Sequence, residues 1–319
     1  MLMKLMRSKA LLGLLATAAV ALSDGTAGAV ERLPAARLNL LAGPAGPESY
    51  IRPVLPKTPQ REAVTFNVTY IGFTPAARAA FQRAVNLWSA QLTSTVPITI
   101  TARYTPLGAG VLGSAGPSFI WRDFAGAPQA GTWYVDALAN KRRGAQLDAS
   151  PDIVADFSSN FPNWHFGTGP APAGRYDFTT VVMHEIGHGL GVLGGAAVNS
   201  ANRGFQLVSG FPIAYNRFVE NNPGRAILSF AENSTTLSAQ LRGGNLFFDS
   251  AQVRAANGNV RARLFAPAVF QPGSSFSHLD EATYLRGNAN SLMTPQLGLA
   301  ETIRSPGPIT LALLRTLGW

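Results

Sequence analysis

Residues 177–194 read DFTTVVMHEIGHGLGVLG. His184 and His188 lie four positions apart, so a helix over this stretch presents both imidazoles on one face, and Asp177 is a typical N-cap for it. Two imidazoles on one helix face can bind the same metal ion. Glu185 lies one position further round the helix, beside a metal-bound water instead of on the ion. The pattern H-E-x-x-H therefore predicts a metal site with a carboxylate placed for proton transfer.

Composition limits the ligands that such a site can have. The chain has 319 residues with four histidines and no cysteine. A disulfide framework, a thiolate nucleophile, a cysteine-ligated zinc and an iron–sulfur cluster are all excluded, so any metal must be bound by His, Asp or Glu. A hydrophobic fraction of 46% with only 13% charged residues argues against a disordered chain. The formal net charge is +9, but basic residues are not interleaved with aromatic ones, so no nucleic-acid surface is predicted.

The first residues have the pattern of an export signal. A basic start is followed by an apolar run at 10–22 and by the small residues at 27–29. This order predicts a secretory signal peptide over residues 1–29, with an uncleaved membrane anchor as the alternative. No later stretch reaches the roughly 18–20 apolar residues of a membrane helix. We therefore expect a secreted bacterial protein, periplasmic or extracellular, without a stable membrane anchor after signal cleavage.

The rest of the chain predicts an α+β domain. Six prolines in residues 30–60 argue against regular structure there, so this part is expected to be an extended arm or a pro-segment. Alternating patterns predict strands near 64–70 and 98–103, and a further strand is expected at 152–157. Thr74 with Pro75 marks the start of an amphipathic helix. Strands mixed with helices in this order predict a mixed sheet within one domain, residues 61–319.

The spacing of residues does not decide which side chain is the third metal ligand. Catalytic zinc sites usually have three protein ligands and a water. The remaining histidines are His278 and His165, and Asp280 or Glu281 could instead complete a site with two histidines and one carboxylate.

Three motifs together resemble the metzincin zinc peptidases, specifically their leishmanolysin branch: the H-E-x-x-H-x-x-G stretch ending at Gly191, SHLDE at 277–281 and SLMTP at 291–295. The resemblance implies Zn²⁺ ligands at His184, His188 and His278, with Glu185 as general base. It also implies that Gly191 turns the chain out of the helix and that Met293 belongs to a Met-turn beneath the metal. For Met293 the alternative is ordinary core packing.

The resemblance also implies an insertion, because Gly194 stands where most metzincins have their third histidine. Residues 194–277 would form a subdomain that rims the cleft, with a short helix near 235–241 and strands at 246–248 and 260–264. Asp280 and Glu281 are expected to orient His278. Pro308 and Gly318 mark a closing helix after the Met-turn. The chain departs from leishmanolysin in lacking every cysteine and in having Val192 where a bulky aromatic residue is common.

The expected function is that of a secreted zinc metalloendopeptidase, a hydrolase that acts as a monomer on protein or peptide substrates. One alternative is a secreted zinc-binding adhesion or envelope protein on the same scaffold with little or no turnover. Another is a metallohydrolase that acts on a non-peptide amide.

Overall fold

The computed structural model describes residues 29–56 and 62–319 and shows a mixed α+β architecture. The signal peptide expected at 1–29 lies outside these residues except for Ala29. The helices are α1 (Pro75–Ser89), α2 (Asp136–Arg143), α3 (Phe178–Gly189), α4 (Thr235–Gln240), α5 (Ala251–Ala256) and α6 (Pro308–Leu317). The strands are β1 (Glu31–Pro34), β2 (Leu38–Ile51), β3 (Phe66–Ile71), β4 (Ile98–Thr105), β5 (Val111–Pro117), β6 (Phe119–Arg122), β7 (Tyr134–Val135), β8 (Ile153–Ser158), β9 (Trp164–His165), β10 (Tyr176–Asp177), β11 (Ala197–Val198), β12 (Gly204–Phe205), β13 (Val219–Asn221), β14 (Leu246–Phe248), β15 (Ala262–Arg263) and β16 (Gln296–Ile303).

The largest sheet has six strands in the order β16-β2-β5-β8-β4-β3. β3, β4 and β8 run parallel, β5 is antiparallel to both β8 and β2, and β2 is parallel to β16. The sheet is therefore mixed, as expected. The strands predicted near 64–70, 98–103 and 152–157 are confirmed as β3, β4 and β8.

Two helices pack together against the sheet. Thr74 caps α1 by accepting a hydrogen bond from the amide of Ala77, and the buried face of the helix includes Phe81 and Trp88. The Trp88 indole donates a hydrogen bond to the carbonyl of Met183 on α3 at 3.0 Å. Every residue of α3 is buried. A helix surrounded in this way has a fixed position, because moving it would expose apolar surface and unpair buried groups.

We call residues 30–51 the amino-terminal segment. Irregular structure was expected throughout residues 30–60, but most of this segment forms strands, so that expectation is wrong there. β1 pairs with β6, and β2 lies inside the main sheet between β5 and β16. The prolines are accommodated where the pairing of β2 with β16 is irregular. The register shifts between Ala42 and Ala45, across Pro44, and again between Ala45 and Ser49, across Pro47. Proline lacks an amide hydrogen, so a strand tolerates it at such bulges.

The insertion at 194–277 contains the predicted helix as α4 and the predicted strand at 246–248 as β14. The strand expected at 260–264 is shorter, β15, and α5 was not predicted, although Ser250 caps it through the amide of Val253. Buried residues of the insertion, among them Phe248 and Val253, belong to the same hydrophobic core as the main sheet. The closing helix is confirmed as α6. Within residues 29–56 and 62–319, no helix is both long enough and apolar enough to cross a membrane.

Candidate metal centre

The start of α3 is fixed by a buried ion pair. Asp177 caps the helix, accepting hydrogen bonds from the amide and the hydroxyl of Thr180, both at 2.7 Å. The same carboxylate binds the guanidinium of Arg304, which donates from Nη2 to Oδ1 at 2.7 Å. Both side chains are buried, and Arg304 follows β16 in the sequence. The helix therefore holds its histidines in a defined position relative to the C-terminal part of the chain.

The end of α3 positions the second histidine. Gly191 has a φ of 121°, a conformation that favours glycine, and the chain leaves the helix there as predicted. The carbonyl of Val192 then returns toward the helix and lies 2.7 Å from Nδ1 of His188.

A turn containing Met293 lies beneath the helix. Residues Ser291–Met293 form a 3-10 turn, and Met293 is completely buried. A Cβ at Gly187 would lie 2.7 Å from the Met293 sulfur, so the absence of a side chain at position 187 allows this close packing. The neighbouring carbonyl of Leu292 lies 2.7 Å from Nδ1 of His184. The turn thus packs against the helix and also orients its first histidine.

His278 joins the pair from the end of the insertion. It is fully buried, and its Nδ1 lies 2.7 Å from the carbonyl of Ser274. The next residue, Leu279, donates its amide hydrogen to the carbonyl of Met293 at 2.8 Å. The return of the chain from the insertion is therefore connected directly to the Met293 turn.

The three histidines form one buried group that could hold a metal ion. Their Nε2 atoms lie 2.9 Å (His184–His188), 3.1 Å (His188–His278) and 3.2 Å (His184–His278) apart. Each Nδ1 faces a carbonyl oxygen, which can only accept, so each Nδ1 carries the hydrogen and each Nε2 presents a lone pair. Nitrogens bound to one tetrahedral ion at ~2.0–2.1 Å lie about 3.3 Å apart, close to these separations.

Burial favours the uncharged imidazoles that a metal requires. It lowers the pKa of His184 to about 3 and that of His278 to about 4, and it lowers the pKa of His188 well below its usual range. The charges of neighbouring histidines add to the lowering for His184 and His188. The group is therefore neutral at pH 7, with three lone pairs directed at one another.

Glu185 lies on the same helix in an equally buried position. Its Oε1 accepts a hydrogen bond from the amide of Leu40 in β2 at 3.2 Å, while Oε2 has no hydrogen-bond partner among the described residues. Burial raises the pKa of Glu185 well above its usual range, and the hydrogen bond from the Leu40 amide opposes this shift. An unpaired buried carboxylate oxygen is costly unless it has a further partner.

The remaining candidates are not part of the group. His165 is only partly buried, on β9, and its Nε2 lies 3.1 Å from the carbonyl of Gly169. The expectation that Asp280 and Glu281 orient His278 is wrong, because the Ser274 carbonyl does so. Asp280 instead accepts from the hydroxyl of Thr283 at 2.6 Å.

Burial and the nearby charges of Glu301 and Asp280 raise the pKa of Glu281 to about 7, while hydrogen bonds from Gln296 and Thr294 oppose the shift. Sequence reasoning also missed Leu40, whose contribution is a backbone amide and leaves no side-chain signal.

A scan against protein-family models and a search of curated proteins find no match to this chain. Function is therefore inferred from the arrangement of the three histidines and Glu185.

Proposed function

We propose that this protein is a zinc-dependent metalloendopeptidase of the metzincin type, similar to leishmanolysin. The observation that carries the proposal is the convergence of three Nε2 lone pairs within 2.9–3.2 Å in a fully buried group, beside Glu185. Without a cation, three lone pairs at this distance repel one another, and burial removes the water that would otherwise separate them. A bound cation would accept the three lone pairs and so remove the repulsion.

The ligand set favours zinc. Three imidazole nitrogens that leave a fourth position open are typical of catalytic zinc sites, and a site for calcium or magnesium would need oxygen ligands. Bound zinc polarises a substrate carbonyl and lowers the pKa of water at the open position.

The residues of the chain supply the remaining chemistry. Glu185 takes the proton from the attacking water and returns it to the leaving amine. The carbonyls of Leu292, Val192 and Ser274 keep the three imidazoles in the tautomer that presents Nε2. The Met293 turn, packed against Gly187, supports the metzincin assignment because the resemblance places a Met-turn beneath the metal.

Metal stoichiometry tests the ligand set. We expect about one zinc per chain in the wild type, loss of zinc in His278→Ala, and retention in His165→Ala, which is the matched control. Zinc loss in His165→Ala, or full retention in His278→Ala, would overturn the assignment.

Hydrolysis of casein or a labelled peptide tests the chemistry. Glu185→Gln removes the base but keeps the shape, so we expect zinc to stay bound while the rate falls by about 10²–10⁴-fold. A chelator should abolish the activity of the wild type, and added zinc should restore it. Unchanged hydrolysis in Glu185→Gln would contradict the mechanism.

Complete burial of the four site residues favours a second candidate, a zinc-binding adhesion or envelope protein without turnover. Such a protein would bind zinc but would hydrolyse neither casein nor the labelled peptide, with Glu185 or with Gln at position 185.

We further propose that the chain is exported, loses residues 1–29 and acts as a monomer. The amino-terminal sequence of the exported protein, expected to begin at Val30, and light scattering test these points.

A further inference from the structure

A cavity of about 380 Å³, which we call the α1 cavity, lies between helix α1 and residues 50–55 at the end of β2. From α1 it is lined by Arg83, Asn86, Leu87 and Ala90. Their spacing of three and four positions places these four residues on one face of the helix. The volume is within the range of small-molecule sites, and none of the lining residues belongs to the metal centre.

Arg83 has no counterion in this cavity. Its Nη2 donates to the backbone carbonyls of Phe166 and Gly167, the latter at 3.0 Å. Its Nε is buried and has no hydrogen-bond partner among the described residues. In the same part of the chain, no carboxylate forms an ion pair with Arg83. A buried donor without an acceptor and a partly buried charge without a counterion both cost free energy, which a bound anion would offset.

The surroundings of Arg83 add to its positive charge. Arg304 also lines the cavity and is already paired with Asp177. Burial lowers the pKa of Arg83, the positive charge of Arg304 lowers it further, and the negative charge of Asp177 opposes the shift. An arginine nevertheless stays charged at pH 7, so these three groups together carry one uncompensated positive charge.

The nearby sequence supplies no acid to neutralise this charge. None of the described residues that line the cavity is acidic. Residues 57–61, which follow in the sequence, read KTPQR and contain no acid either. The cavity is therefore complementary to an anion.

The rest of the cavity is mainly apolar. Leu87 packs against the hydrophobic core while lining the cavity. Seven large apolar side chains are exposed among the described residues, and three of them lie in residues 50–55: Tyr50, Val54 and Leu55. Gln91 of α1 donates a hydrogen bond to the Val54 carbonyl, which holds this stretch beside the helix. Exposed apolar side chains concentrated beside a cavity are typical of a binding site.

We propose that the α1 cavity binds a single-chain amphiphile with an anionic head, of the fatty-acid class. The carboxylate lies at Arg83 and accepts the hydrogen bond that Nε does not otherwise make, and the acyl chain lies against Leu87 and Leu55. One uncompensated positive charge matches a carboxylate better than a phosphate monoester, which carries about −1.5 to −2 at pH 7. This binding site is separate from the proposed peptidase activity and does not depend on it.

Calorimetric titration with dodecanoate, below the concentration at which it forms micelles, tests the proposal. We expect saturable binding of one dodecanoate per zinc-loaded chain, and no binding of dodecyltrimethylammonium, which has the same chain with a positive head. Amide exchange in the second half of α1 should become slower when dodecanoate binds. Removal of zinc should leave the affinity unchanged, since no metal ligand lines the cavity.

Two pairs of variants separate the head of the ligand from its chain. Arg83→Gln should weaken binding of dodecanoate at least about tenfold, because a charged hydrogen bond is lost, whereas Arg78→Gln on the same helix should not change it. Leu55→Ser should weaken binding about threefold, and Leu285→Ser should have no effect. Leu55 and Leu285 are exposed to 60% and 62%, so neither change should disturb folding, but only Leu55 lines the cavity.

Several outcomes would overturn the proposal. Absence of dodecanoate binding, or equal binding of the cationic amphiphile, would remove the anion site. An affinity that depends on zinc would place the carboxylate on the metal instead. Full affinity in both Arg83→Gln and Leu55→Ser would place the ligand elsewhere. Binding of the protein to phosphatidylglycerol vesicles without binding of free dodecanoate would make residues 50–55 a membrane-binding surface.

Discussion

Helix α3 and the amino-terminal segment meet at Glu185, but different interactions hold them in place. α3 is buried along its whole length, and its first turn is fixed by the buried pair of Asp177 and Arg304. The segment contacts Glu185 through a single amide, and its side-chain ion pairs are partly exposed. Buried groups make displacement costly, and exposed ones are exchanged for water with little loss. The groups proposed for chemistry thus lie on a fully buried helix, whereas β2 is held between β5 and β16 mainly by backbone pairing.

Removal of the buried cation at the start of α3 should have the largest effect on stability. Arg304→Ala leaves the Asp177 carboxylate buried and unpaired, which should lower the free energy of unfolding by about 3–5 kcal/mol. Urea denaturation followed by tryptophan fluorescence measures this. Arg103→Ala, which removes an exposed arginine, is the control and should cost less than about 1 kcal/mol. Equal losses of unfolding free energy in the two variants would mean that the buried ion pair at the start of α3 contributes no more to stability than an exposed one.

The second-largest effect on stability should come from acid, which lowers the free energy of unfolding of the metal-free protein. The pKa values of His184 and His278 are lowered to about 3 and about 4 in the folded protein, against 6.5 for the unfolded group. Below pH 6.5 the unfolded chain therefore takes up protons that the folded chain does not, so stability is present above that pH and is lost as the pH falls toward 4.

The raised pKa of Glu185 acts in the opposite sense, because the folded state then binds the extra proton. Urea denaturation of the metal-free protein across this range measures the balance. His278→Ala should make the fall with pH shallower, and Glu185→Gln should make it steeper. A pH dependence that neither variant changes would exclude the site as its source.

A smaller effect should follow from adding a methyl group beneath the helix. In Gly187→Ala the new Cβ would lie 2.7 Å from the Met293 sulfur, so the buried Met293 side chain must shift, at a cost of about 1–3 kcal/mol. Because the neighbouring carbonyl of Leu292 orients His184, zinc affinity should fall as well. Gly169→Ala is the matched control, since nothing lies within 4 Å of its Cβ. Competition with a metal-binding dye measures the affinity, and an unchanged value would show that the turn does not position the ligand.

The smallest effect on overall stability should come from the segment. Arg37→Ala should change the free energy of unfolding by less than about 1 kcal/mol, while amide exchange at Leu38–Leu41 becomes faster. Hydrogen exchange read by mass spectrometry separates the two quantities. Unaltered exchange at these residues would mean that the ion pair with Asp156 does not hold the segment.

Several local features were predictable because short-range rules determine them. Helical spacing places His184 and His188 on one face, Asp177 and Thr74 are N-caps, and Gly191 ends the helix. The strands β3 and β4 follow from alternating patterns, and β8 was expected as a further strand. For His278 the resemblance, and not any spacing rule, made the assignment over His165, and the structure places His278 with the other two histidines.

The amino-terminal segment was wrongly expected to lack regular structure, because proline content describes a segment in isolation. Pro44 and Pro47 are tolerated only because β16 pairs with β2 irregularly at those positions, and β16 lies more than 240 residues further along the chain. The carbonyls that orient the three histidines are likewise backbone atoms, so no side chain marks them in the sequence.

The sequence by itself determined the chemical groups of the site, since the absence of cysteine and the spacing of His184, Glu185 and His188 depend on residue identity and helix geometry alone. Tertiary structure alone decided that His278 comes within 3.2 Å of its partners, that the Ser274 carbonyl orients it, and that β2 covers Glu185. The first and the last of these contacts join residues about 90 to 145 positions apart, whereas Ser274 lies four positions before His278. Packing of the whole domain brings such residues together, and no local preference of the chain encodes it.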